Sequence, residues 1–169
     1  NITSVLSDMV GHMDHVDRIF VLKGTAPPEI YTTPMAVIGR LSRASARVDA
    51  RLAATFAAHG IDAATFDVLA TLTRQGPPYR LTPAELAADS MITSSAVAQR
   101  LNRLETLGFV TREPNPSDGR GKLVQLTAAG RALLDRVLPE HLATEEFLLA
   151  PLAAGERATL AGLLARLCE

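Results

Sequence analysis

Two clusters of polar residues in this chain have the types and spacing to do chemistry. The first is Ser95, Ala96, Gln99, Arg100 and Arg103, with Thr93 and Ser94 just ahead of it. At helical periodicity these lie along one strip of small, amide and guanidinium groups. Small residues allow a helix to approach bases closely, a glutamine can bond an adenine edge, and an arginine can bond guanine or a phosphate. Such a strip fits the major groove of a DNA duplex. The second cluster is Arg120 and Lys122, near Asp118. A cation there could enter a minor groove or bind phosphate, and Asp118 could buttress Arg120 through a charge-assisted bond.

The elements around both clusters are legible. Val97, Leu101, Leu104 and Leu107 recur at the spacing of one helix face, opposite the polar strip. Thr93 can cap that helix, Gly108 supplies a left-handed residue to end it, and Phe109 can fold back onto the last turn. Upstream, Thr82-Pro83-Ala84-Glu85 is a capping box with proline at the first helical position, which predicts a short helix from Pro83 to about Asp89. Two short helices with a tight turn between them make a helix-turn-helix. Phe109 to Glu113 and Lys122 to Leu126 then alternate apolar and polar residues on either side of the turn-forming run Pro114 to Gly119. This predicts a hairpin with a long tip carrying Arg120 and Lys122.

The remainder is helical by pattern. Met35 to His59 carries an apolar face through Val37, Ile38, Leu41, Val48, Leu52 and Phe56, flanked by Arg40, Arg43, Arg47 and Arg51, whose stems can cover apolar surface. Gly60 ends that helix, Ile61 to Gln75 begins another, and Gly76-Pro77-Pro78 breaks it. After the hairpin, Thr127 can cap a helix through Leu133, Leu134, Val137 and Leu138, which Pro139 should kink or interrupt. Pro151 to Gly155 reads as a loop, and Ala158 to Leu167 closes the chain. These terminal helices hold more apolar surface than one small lobe can bury, so a second copy is expected to cover it, giving a homodimer. A further helix is expected from Val5 to Val21, ended by Gly24 to Pro28.

Length and composition agree. A chain of 169 residues suits one well-buried domain and leaves no room for a separate enzyme domain. With 47% hydrophobic residues and 4% aromatic, the core should be Leu, Ala and Val. The formal net charge of −1 divides unevenly: residues 91–131 hold six basic and three acidic side chains, so the basic lobe is the face toward DNA. The single cysteine, Cys168, excludes an internal disulfide and fits a reducing cytoplasm. No apolar run approaches membrane-spanning length, no signal core follows a basic start, and no membrane partner is expected.

The run Ser117-Asp118-Gly119-Arg120-Gly121-Lys122-Leu123-Val124-Gln125-Leu126-Thr127-Ala128-Ala129-Gly130, with Leu101, Leu104, Glu105, Gly108, Phe109 and Val110 before it, resembles the wing signature of MarR-type winged-helix regulators. The resemblance extends from about Met35 to the C-terminus. It implies a mainly α fold with a small β-hairpin wing, in which 1–60 and 127–169 form a helical dimerisation lobe and 61–126 a winged-helix DNA-binding lobe. It also implies a dimeric transcription factor, binding double-stranded DNA without a cofactor, whose affinity is lowered by a small molecule. Further words, His15-Val16-Asp17-Arg18-Ile19, Pro34 to Arg43, and Phe66-Asp67-Val68-Leu69, are similar to the urate-responsive branch of that family. By motif position that branch implies an effector site at Asp67, Arg100 and Arg112, with His15 nearby and Lys23 about where the branch has a tryptophan. The chain has no tryptophan, so the effector implied is an anionic or aromatic molecule other than urate. On desolvation grounds Asp67, set in an apolar helix, should have an arginine partner.

Other chemistries find little purchase. His12 and His15 share a helix face but two ligands do not make a zinc site, and His59 and His141 add no set; no metal is expected. The chain has no serine elbow and no glycine-rich phosphate loop, so no enzyme activity is expected. The rival is a winged helix used as a protein-protein interaction module, which the fold alone would not exclude. Such a module has no need of Arg100, Arg103, Arg120 and Lys122 together.

Overall fold

The computed structural model describes residues 34–90, 94–116 and 118–169, and among these the side chains at 94 and 118–120 are left aside. The expected N-terminal helix, with His12, His15 and Lys23, and the Thr93 cap lie outside the described residues.

Helix α1 spans Pro34–Ala58 and crosses between the two units into which the chain divides, 1–49 and 50–169. In the first unit the described residues are the leading turns of α1, where the Ser45 hydroxyl lies 3.4 Å from the Asp49 carboxylate one turn on.

The second unit holds everything else. Gly60, at φ 71°, ends α1 in the left-handed conformation, and Ile61 N–H reaches back to the Phe56 carbonyl at 3.1 Å. Asp62 then caps α2 (Ala63–Arg74), accepting the Thr65 N–H at 2.8 Å. A two-residue strand β1 (Arg80–Leu81) follows, then α3 (Pro83–Asp89), α4 (Ser94–Thr106), β2 (Val110–Asn115), β3 (Asp118–Leu126), α5 (Ala128–Leu149) and α6 (Ala154–Cys168). The strands form one antiparallel sheet in the order β1-β3-β2.

The core is mostly aliphatic, with Phe56 buried in it and stacked on Phe66 at 4.8 Å between ring centres. Val68, Leu69 and Leu72 of α2, Leu86 of α3, and Val97, Leu101 and Leu104 of α4 are buried together with Val110 and Val124 of the sheet and Leu133, Leu134 and Val137 of α5. Each such side chain contributes about 1.5–3 kcal/mol over its exposed state.

Three expectations need correction, and one strand appears that no pattern announced. Leu107, expected on the core face, is 50% exposed, because α4 ends at Thr106 and Gly108 turns the chain away before Leu107 can point inward. The wing's tip is short. Pairing runs out to Pro114↔Lys122 and, past an irregularity, Asn115↔Asp118, so Lys122 sits along the arm of β3. β1 has no alternating pattern to announce it and exists because β3 offers its free edge, pairing Arg80↔Gln125 and Leu81↔Val124. Helix α5 is not interrupted at Pro139 and runs on to Leu149, since one missing N–H removes a single bond from the helix.

The start of α5 explains the Leu-Thr-x-x-Gly spacing. Thr127 accepts the Gly130 N–H at 3.0 Å as the helix cap and donates its hydroxyl to the Gly108 carbonyl at 2.7 Å. Its own N–H bonds the Phe109 carbonyl at 3.1 Å. The backbone therefore passes so close that a Cβ at Gly130 would overlap the Phe109 carbonyl. One threonine and one glycine thereby weld the end of α4 to the root of α5.

Candidate nucleic-acid interface

The helix-turn-helix begins with α3, whose entry is doubly fixed. Glu85 N–H bonds the Thr82 hydroxyl oxygen at 3.2 Å, and Glu85 Oε2 accepts the Thr82 N–H and hydroxyl at 2.8 Å each. Those two donations, the backbone one first, hold the Glu85 carboxyl below its ordinary value. At the other end, the Arg74 guanidinium donates to the Asp89 carbonyl at 3.3 Å, tying the close of α2 to the close of α3.

Helix α4 has the two faces expected of it. Val97, Leu101 and Leu104 are buried, while Ser95, Gln99 and Arg103 are exposed and Ala96 is half-buried. Phe109 N–H returns to the Leu104 carbonyl at 2.9 Å and closes the helix. The wing follows directly, with Lys122 exposed on β3. Asp118 and Arg120 fall in β3 with their side chains outside the described residues, as are Thr93 and the side chain of Ser94.

The two arginines expected in both sites sit differently from the exposed strip. Arg100 is 22% exposed, and its Nη1 lies 2.8 Å from Asp62 Oδ2 at the start of α2. Burial raises the Asp62 carboxyl, but the Thr65 N–H and hydroxyl and the charges of Arg100 and Arg103 outweigh it and hold the group below its ordinary value. Arg112 donates to Asn102 Oδ1 at 2.7 Å and stands 3.6 Å from Glu105, so it braces β2 against α4. Arg100 and Arg112 are thus each engaged with a different acidic or amide group, and Asp67 is half-buried on α2. Asp62 and Asn102 were not anticipated. The cap position of Asp62, after Gly60 and before an apolar run, was the signal available for it. Arg112 and Lys122 also border an open crevice of about 200 Å³ floored by Pro83, Ala98 and Leu101.

His59 and His141 are accounted for structurally. His59 Nε2 lies 3.0 Å from Glu140, and His141 Nε2 lies 3.1 Å from Glu145 while its ring packs against Phe56 and Phe66. Among the described residues no group of three or more potential ligands gathers, and no single helix is long and apolar enough to cross a membrane.

A capped helix, a second helix that begins five residues after it and has one polar face, and a two-stranded wing at the exit of the second together define a winged helix-turn-helix. A model of the MarR family matches residues 59–121. The HTH-type transcriptional regulator PecS of Dickeya dadantii is 40% identical over 139 residues, covering 82% of this chain and 84% of the relative. Among solved structures, a mutant of MarR from E. coli complexed with operator DNA superposes with a TM-score of 0.72 at 30% identity, over 85% of this chain and 100% of that one. Bordetella bronchiseptica BpsR, whose DNA binding is regulated by 6-hydroxynicotinic acid, superposes with a TM-score of 0.70 at 27% identity, over 79% and 98%. The chain belongs to the MarR family and is a DNA-binding transcriptional regulator of winged-helix fold.

Proposed function

We propose that this regulator is a ligand-responsive repressor that binds a pseudo-palindromic operator as a homodimer. The observation that carries the reading is α4 itself: Gln99 and Arg103 stand exposed on the side opposite Val97, Leu101 and Leu104, with the cationic wing following at once. In this reading Thr93, Ser94, Ser95, Ala96, Gln99, Arg100 and Arg103 address the major groove, and Asp118, Arg120 and Lys122 serve the wing. Residues 61–126 form the DNA-binding lobe. The lobe made of 1–60 and 127–169 pairs with a second copy, which sets two half-sites about one helical turn apart. Support for pairing comes from the apolar side chains that a single chain leaves exposed, among them Leu142, Phe147, Leu163 and Leu167. Repression follows because a dimer covering a promoter needs no further contact to exclude polymerase.

The effector is an anionic or aromatic molecule held by Asp67, Arg100 and Arg112, with His15 and Lys23 completing the site. The regulation of BpsR by an aromatic acid supports this class of ligand. Selection of duplexes from a random pool, followed by shift assays across a salt series, tests the DNA half. Arg120→Ala should weaken binding to all sequences and reduce the salt slope by about one unit, whereas Gln99→Ala should mainly relax specificity. Equal losses on selected and scrambled duplex for both variants would reject this division, and absence of salt dependence would favour the protein-binding module. A thermal-shift screen of phenolic and purine acids, then DNA competition, tests the effector half. Asp67→Asn should blunt ligand-induced release, and an unchanged response counts against that assignment.

A further inference from the structure

Asp62 stands one residue ahead of α2 and uses both oxygens of its carboxylate. Oδ1 accepts the Thr65 N–H at 2.8 Å, and Oδ2 meets Arg100 Nη1 at 2.8 Å. Arg100 projects from the middle of α4, whereas Asp62 belongs to the turn that Gly60 and Ile61 fix to the last turn of α1 through bonds to the Ala57 and Phe56 carbonyls. The turn between α1 and α2 is therefore fastened to the recognition helix by one charge-assisted pair.

We propose that Asp62 is a positioning and specificity-determining residue for DNA recognition, fixing the rotation of α4 about its own axis through Arg100 and keeping that guanidinium off the sugar-phosphate backbone. The inference rests on the DNA-reading role of α4 given above, and it narrows the part played by Arg100.

Two physical effects make such a tether useful. Gln99 is the neighbour of Arg100 on α4, and a glutamine reads adenine through a pair of bonds whose alignment a small roll of the helix would spoil. A released arginine, by contrast, adds affinity for phosphate that carries no sequence information. Asp62 therefore raises the ratio of specific to non-specific binding from both sides. Arg103 lies within the same field, since its charge also acts on the Asp62 carboxyl.

The test uses the full chain, a short duplex carrying the sequence it selects from a random pool, and a scrambled duplex, titrated across a salt series. Asp62→Asn keeps the helix cap, because asparagine caps as well as aspartate, and removes the charge. The ratio of selected to scrambled affinity should fall about fivefold, as expected for loss of a partly exposed ion pair. The salt slope on scrambled duplex should steepen by about one unit as Arg100 is released. Arg100→Met should lower the ratio without steepening the slope, and the double variant should fall no further than the singles. Asp62→Ser, which also caps, provides the same comparison if the asparagine variant folds poorly. An unchanged ratio in the Asp62 variants, or a double variant that falls by the product of the singles, overturns the inference while leaving DNA reading intact. A wild-type chain that does not distinguish the two duplexes overturns the DNA reading itself, and the inference with it.

Discussion

The winged lobe and the C-terminal arm of this regulator both carry many apolar side chains and give them opposite fates. In α4 the residues Val97, Leu101 and Leu104 are buried, and the first half of α5 buries Leu133, Leu134 and Val137 against the same core. Farther along, Leu142 and Phe147 of α5 are exposed, and α6 buries none of its residues despite Leu160, Leu163 and Leu167. The arm meets the rest where Thr55 lies 2.8 Å from Thr144 and the His141 ring packs on Phe56 and Phe66, while within the arm Arg157 of α6 grips Glu146 of α5 through two bonds of 2.7 and 2.8 Å. Arg51 lies over the Phe147 ring at 5.7 Å, covering part of what remains open. One region buries its apolar side chains, and the other leaves many of its own exposed.

The sharpest way to break that contrast is to truncate a leucine in each region. Leu104→Ala should destabilise the fold by about 3 kcal/mol in urea unfolding, through lost burial and a cavity that the surrounding helices cannot fill. Leu163→Ala should change the same measurement by less than about 0.5 kcal/mol at a concentration where the chain is single. Sedimentation should then show its effect on the proposed pairing. Equal destabilisation by both would erase the distinction between the two regions.

The joint between the regions gives the next largest effect. Gly130→Ala sets a methyl against the Phe109 backbone carbonyl, so α5 must shift or the turn after Gly108 must open. The expected loss is about 2 kcal/mol by thermal melting, and a variant as stable as the parent would show that the joint is slack. Within the winged lobe, Thr82→Ala removes the α3 cap and should cost about 1 kcal/mol. Hydrogen exchange concentrated in α3 would separate it from a global change.

The smallest effect is on pH. The Glu85 carboxyl is held below its ordinary 4.5 by the Thr82 N–H and hydroxyl, so its contribution is fully present above that value and is lost as the pH falls through the lowered one. Wild-type stability should therefore decline as the pH is taken below about 4.5, and Glu85→Gln should flatten part of that decline. An unaltered acid limb in the variant would mean that the capping box does not hold the charge.

Much of the architecture is legible in the sequence, and for a common reason. Thr82 with Glu85, Gly108 and Thr127 act within a turn or two of their own positions, so short windows of sequence were enough to place α3, the end of α4 and the start of α5. The buried face of α4 was equally plain as far as Leu104. Its last expected member, Leu107, failed because periodicity does not register where a helix stops.

What sequence alone determined about this protein is therefore its winged helix-turn-helix, the polar strip of α4 and its mostly aliphatic core, since each is written in caps and periods of a few residues. Tertiary structure decided which acid holds Arg100, that Arg112 braces the wing against Asn102, and that Arg80 and Leu81 join the sheet. Those outcomes depend on segments distant in the chain arriving side by side. A charged side chain with several candidate partners, or a strand of two residues, carries no local pattern that could name the one it meets.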